Sequence, residues 1–229
     1  MKSFQLAHFL YLAAAFILAT IYFIPHRKKF SFKTHQILRL SLFWVLLINE
    51  TWWFLFRHFF LKVPIQNNLP LHLCDVAVFM TLFAVYFKKN ILYEMTYYIS
   101  FSSGLLAIIF PNISESGAVA YIAQLRYFVT HTSILVSGIY FTFGIGYFPT
   151  YKSLLRCFGL IHLFGLLVVL PNLWLGTNYF YVMHRPANPS FLPPLSFPIY
   201  QIAFSGVYVI VFHLMQIPLW GRNLFTKHH

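Results

Sequence analysis

Two cysteines, eleven histidines and four carboxylates are the reactive side chains in this sequence, and they are unevenly spread. The densest run is Asn67-Asn68-Leu69-Pro70-Leu71-His72-Leu73-Cys74-Asp75. Asn68 suits a helix cap and Pro70 a first turn. On that helix His72 and Asp75, three apart, share a face, so the carboxylate is expected to orient the imidazole. Cys74 points to roughly the opposite side, because each residue turns by about 100°. Its base must then come from another helix, and His131, between Thr130 and Thr132, is the candidate. A Cys–His pair performs acyl transfer through a thioester, with a polar group such as Asn178 or Arg126 stabilising the oxyanion.

Blander readings stand beside this one. A membrane cysteine is most often a small packing residue, and apolar burial suppresses its thiolate unless a histidine or helix N-terminus assists. His131 serves equally well as an interhelical hydrogen-bonding group. Glu50 and Asp75 read as neutral structural donors in hydrocarbon. His72, Cys74, Asp75 and His131 match no standard zinc spacing, so neither metal nor cofactor is expected. Cys157, in a separate apolar segment, reads as structural, and a disulfide framework is excluded.

The elements that must position these groups are membrane helices. The 229 residues are 59% hydrophobic and 9% charged, with mean hydropathy +0.70, too few charges to cover a soluble domain. Apolar runs of about twenty residues recur without the alternation of a barrel strand. The expected fold is one all-α polytopic domain over 1–229, with seven spans. They run near Leu6–Ile24, Gln36–Phe59, Pro70–Phe87, Ile91–Phe110, Ala120–Phe148, Cys157–Leu175 and Ser196–Trp220. The first is read as a retained span, its apolar stretch being too long for a signal peptide.

Basic residues concentrate on one side of that topology. Arg27, Lys28, Lys29, Lys33, Arg39, Lys88, Lys89, Lys152, Arg156, Arg222 and Lys227 fall there, against Lys2, Arg57, Lys62, Arg126 and Arg185 on the other. The positive-inside rule puts the N-terminus outside and the C-terminus in the cytoplasm. The formal charge of +12 therefore reads as topology and headgroup contact, with phospholipid rather than nucleic acid as the partner.

Polar groups in hydrocarbon are the default place to look for function. Glu50 with Asn49, His72, Cys74, Asp75, Arg126, His131 and Asn172 share the outer depth zone, and Asn178, His184 and Arg185 follow in the outer loop. That loop, from Gly176 through Pro186, Pro189, Pro193 and Pro194, reads either as a lid or as a cap over helix ends. The Trp52-Trp53 pair reads as an interface anchor.

Three stretches together resemble a known family: Leu69–Cys74, Tyr127-Phe128-Val129-Thr130-His131, and Gly176-Thr177-Asn178-Tyr179 leading to Arg185-Pro186. In order and spacing they resemble the YwaF-like bacterial integral membrane proteins, over nearly the whole chain. The resemblance implies a bacterial cytoplasmic membrane location. It also implies a relationship to animal transmembrane phospholipid acyltransferases that work through a membrane cysteine, matched by Cys74. More distantly, the arrangement is similar to androgen-induced-type intramembrane hydrolases, which use a threonine and a histidine, with His131 matching the histidine.

The leading expectation is a lipid-active acyltransferase or acyl hydrolase with Cys74 as nucleophile and His131 as base. His72, Asp75, Glu50, Arg126, Asn172, Asn178 and Arg185 would support the site or contact substrate. The alternative is a small transporter or a lipid- or solute-binding protein, in which Glu50, Asp75 and the histidines bind substrate or relay protons.

Overall fold

The structure is a computed structural model describing residues 6–23, 30–113, 115, 117–185, 195–196 and 198–226. Lys2, Pro25, the basic run 27–29, Pro186, Pro189, Pro193, Pro194 and Lys227 lie outside the described residues.

Among the described residues, seven helical rods form an all-α bundle. α1 is Leu6–Phe23, α2 Phe32–Phe59 and α3 Leu73–Phe87. α4 starts as Asn90–Ile99, continues through a π-helical turn, Ser100–Leu105, and ends as Leu106–Ile109. α5 is Val119–Ile139 with a π-helical extension, Tyr140–Gly144; α6 is Tyr151–Leu175 and α7 Ile199–Thr226. These helices fall where the hydropathy pattern puts them, with shifts of a few residues at their ends.

Four of the seven, α1, α2, α6 and α7 (as far as Leu219), are long and apolar enough to cross a membrane. α3 has 15 residues, about 22 Å at 1.5 Å per residue, against about 30 Å of hydrocarbon. α5 carries Gln124, Arg126, Thr130, His131 and Thr132, which lower its hydropathy. Burial follows the same division. α1 buries His8 and Ala15 and leaves Leu6, Phe16 and Ile17 exposed, whereas α5 buries a continuous run from Thr130 to Gly138. The polar helices are thus inside and the apolar helices outside. Exposed apolar surface on this scale, including Trp174, Leu166, Leu170 and Ile202, belongs against lipid.

Local chemistry sets the helix ends. Ser31 caps α2 by accepting from the Thr34 N–H. Thr150 and Ser153 cap α6 reciprocally: the Thr150 Oγ1 accepts the Ser153 N–H at 3.3 Å and the Ser153 Oγ accepts the Thr150 N–H at 3.0 Å. α3 begins later than the sequence suggests. Its N-cap is His72, not Asn68, and Pro70 precedes the helix. The Asn68 amide instead donates to the Phe54 carbonyl at 3.0 Å, tying the linker back to α2.

Buried hydroxyls and amides join the inner rods where the hydrophobic effect between helices is weak. Tyr97 donates to the Met215 carbonyl at 2.7 Å, and Gln216 bonds the Tyr98 hydroxyl. α4 and α5 approach so closely that a Cβ at Gly138 would strike the Ser100 side chain. A Cβ at Gly104, in the π-helical turn, would lie 3.1 Å from both the His131 carbonyl oxygen and the Leu135 nitrogen. Those atoms are backbone and yield little. Gly104→Ala is expected to cost about 1–3 kcal/mol by overpacking and to displace His131, read as a lower melting temperature in detergent.

Candidate functional site

Cys74 occupies the first turn of α3, and His131 is buried mid-way along α5. The crossing of these helices brings the His131 Nε2 to 3.1 Å from the Cys74 Sγ. The other ring nitrogen, Nδ1, lies 2.7 Å from the Tyr127 carbonyl oxygen one turn earlier. A carbonyl only accepts, so Nδ1 carries the proton and Nε2 presents its lone pair to the thiol. The Tyr127 ring packs on the imidazole, with centroids 4.0 Å apart, and its hydroxyl donates to the Ala107 carbonyl. The imidazole is therefore held in one tautomer and one orientation. First-turn helix N–H groups lack intrahelical acceptors, so the peptide N–H groups of Leu73 and Cys74 are suitable donors beside the sulfur.

Glu50, Arg126, Thr130 and Asn49 form a second cluster beside this pair. Arg126 and Thr130 both donate to the Glu50 carboxylate, and the Asn49 amide donates to the Thr130 Oγ1 at 2.7 Å. Glu50 is an acceptor through both oxygens, not the neutral donor expected from its sequence setting. Arg126 also lies 5.5 Å from the Trp53 ring centroid, a cation–π contact. Trp53 is buried, so it is no interface anchor.

Asp75 does not orient the His72 ring. Its carboxylate accepts the His72 backbone N–H at 2.8 Å, a helix-start contact, because helical spacing brings the carboxylate to the chain and not to the imidazole. The ring's Nδ1 accepts the Phe180 N–H at 3.3 Å, and the ring lies between Tyr179 and Tyr181, each 5.2 Å away. His72, Cys74, Asp75 and His131 do not converge as metal ligands; among the described residues no three such groups do.

The loop after α6 closes over these residues. The Asn172 side chain receives Thr177 and the Tyr179 N–H on its oxygen and donates to the Tyr179 carbonyl. The Tyr179 hydroxyl accepts the Leu69 N–H at 2.9 Å and donates to the Gln66 carbonyl at 2.7 Å. Burial raises the pKa of the Tyr179 and Tyr181 phenols, which keeps them in their donor form. Phe180 and Tyr181 hold φ of 58° and 53°, a conformation bulky residues avoid and one that clusters at functional sites. Tyr179→Phe is expected to lower the melting temperature by leaving the Leu69 and Gln66 backbone groups unpartnered, at about 1–3 kcal/mol.

Asn178 is not an oxyanion donor. Its oxygen accepts the Met183 and His184 N–H groups and its amide donates to the His184 carbonyl, so it is used within its own turn and does not line the site. Arg185 likewise lies outside the cavity lining. Asn172 does not line the cavity either; its side chain holds Thr177 and Tyr179.

A cavity of about 640 Å³ joins the clusters. Its polar part is lined by Glu50, Arg57, His72, Cys74, Asp75, Arg126 and His131, its apolar part by Val78, Leu82, Leu106 and Val211, and Tyr179–Tyr181 flank it. The size and mixed lining suit a small molecule or one acyl chain of a larger lipid. His162 repeats the His131 geometry, with Nδ1 2.8 Å from the Phe158 carbonyl and Nε2 3.0 Å from the Ser205 Oγ, but lines no part of this cavity. It joins α6 to α7. His162→Ala is expected to cost about 1 kcal/mol in detergent stability and leave Cys74 chemistry unchanged.

An apolar helix bundle around a part-buried Cys–His pair defines a polytopic integral membrane protein with a polar site in its interior. The chain belongs to the TMEM164 family, whose sequence model matches residues 3–216 and so spans every site residue named above. No curated protein and no solved structure matches it.

Proposed function

We propose that the protein is a membrane-embedded acyltransferase or acyl hydrolase acting on phospholipid esters, with Cys74 as nucleophile and His131 as general base. The observation that carries this reading is the 3.1 Å contact between the Cys74 Sγ and the unprotonated His131 nitrogen, inside a cavity with one polar and one apolar part. The resemblance to YwaF-like proteins, and through them to animal phospholipid acyltransferases, supports it.

In the reaction, the Cys74 thiol proton passes to the His131 Nε2 as sulfur bonds to the ester carbonyl carbon. The tetrahedral oxyanion accepts from first-turn N–H groups of α3. Collapse breaks the carbonyl carbon–alkoxy oxygen bond, and His131 returns its proton to the departing oxygen, releasing a lysolipid and leaving an acyl thioester. An acceptor hydroxyl, of a lysolipid or of water, then gives its proton to His131, takes the acyl group and frees the sulfur, which His131 reprotonates.

All seven helices cross the membrane in this reading, with the N-terminus outside and the C-terminus in the bacterial cytoplasm. Lys33, Arg39, Lys88, Lys89, Lys152 and Arg156 lie in or beside the helix ends that this reading assigns to the cytoplasm, as the positive-inside rule asks. Cys74 then lies in the outer leaflet, near the depth of phospholipid esters. The test is an assay of purified full-length protein with phospholipid carrying a labelled acyl chain. The parent should move label to lysolipid or water, and Cys74→Ala should not. Equal activity in the two would overturn the reading.

A further inference from the structure

The cavity holds a second guanidinium that the reaction above does not use. Arg126 is paired with Glu50, whereas Arg57, near the end of α2, belongs to neither the Arg126–Glu50 nor the Arg156–Glu94 ion pair. Its hydrogen bond to the Asn67 carbonyl is long, 3.5 Å from Nη2, and its Nε has no partner. A part-buried guanidinium on a cavity wall with a donor left over is suited to an anionic ligand. Arg57 lines the cavity seven residues beyond Glu50 on the same helix, about 10 Å nearer its end at 1.5 Å per residue. The lining includes the Arg57 cation near the end of α2, the Cys74 thiol in the first turn of α3, and Val78 and Leu82 further along α3. Phosphate, ester and hydrocarbon follow one another in that order along a phospholipid.

We propose that Arg57 seats the anionic phosphodiester of a phospholipid and so places the acyl ester at Cys74. The second half rests on the function proposed above; the first does not. A guanidinium fork suits phosphate because two N–H groups can reach two oxygens at once. Asn67 and Asn68 also line the cavity.

The test uses the full-length protein and dialkyl glycerophospholipid, whose ether-linked chains carry the phosphate but no ester for Cys74 to attack. Native mass spectrometry compares its binding with that of the neutral dialkylglycerol of the same chains. The parent should favour the phosphate lipid by about tenfold or more, Arg57→Gln should lose about tenfold for that lipid alone, and Arg57→Lys should recover part of it. Thermal unfolding identifies variants that fold; if Arg57→Gln does not, the preference of the parent and the partial loss in Arg57→Lys decide. Equal binding of the two lipids by the parent, or an equal loss of both in Arg57→Gln, would overturn the proposal. So would displacement of the lipid by inorganic phosphate at equal concentration, which would assign Arg57 to the free anion. Because no ester is present, a chemically inert Cys74 would sink the acyl-transfer reading and leave this result standing.

Discussion

His131→Ala is expected to slow acyl turnover by about 10²–10⁴-fold, the usual contribution of a positioned general base. The imidazole is oriented by the Tyr127 carbonyl and packed against the Tyr127 ring, so it needs no reorganisation before taking the thiol proton. The two half-reactions need it differently. Attack on the first ester requires a thiolate, a strong nucleophile once formed, whereas the second step requires activation of a hydroxyl, a weaker one. At raised pH His131→Ala should therefore accumulate the acyl thioester that the parent consumes. The check is single-turnover chemistry with labelled phospholipid, following adduct and product separately. Turnover within threefold of the parent, about 0.65 kcal/mol in barrier, would remove His131 from the reaction.

The largest stability effect is expected from breaking the Glu50–Arg126 pair. The two side chains are 21% and 16% exposed, so each is largely removed from water and relies on the other. Glu50→Ala leaves the guanidinium facing Trp53 without its carboxylate and the Thr130 hydroxyl without its acceptor; Arg126→Ala leaves the carboxylate with Thr130 alone. Removing one partner of a buried pair costs about 3 kcal/mol at the lower end of the range, which suits this degree of exposure. Removing both should cost less than the sum of the single losses. Denaturant titration in mixed micelles measures all three. A double variant as costly as the two singles added together would show that the groups act independently.

Cys74 could be paired with His131 from the sequence because both fall at one depth on different helices, and because helical turning excludes His72 as the base. Hydropathy alone located all seven helices. The side-chain partners were harder to read. Asp75 and His72 share a helical face, yet the carboxylate went to the backbone, since an unpaired N–H at a helix start competes with any ring nearby. Asn178 carried an amide suited to an oxyanion, but a loop that reverses sharply needs its own donors and acceptors first. The tie between the Tyr179 hydroxyl and Leu69 spans 110 residues and leaves no periodic trace. The π-helical turn at Ser100–Leu105, which sets Gly104 against the His131 backbone, has no hydropathy signature distinct from an ordinary helix. Trp53 resembles an interface residue by type and position; only packing separates it from its neighbour Trp52, which is exposed.

The most direct measurement of the central claim is mass spectrometry of the Cys74 peptide from protein purified with phospholipid, with and without hydroxylamine. The account predicts an acyl adduct on Cys74 that hydroxylamine removes, that increases in His131→Ala at raised pH, and that is absent from Cys157. An unmodified Cys74 in both the parent and His131→Ala, under conditions where phospholipid is bound, would contradict it.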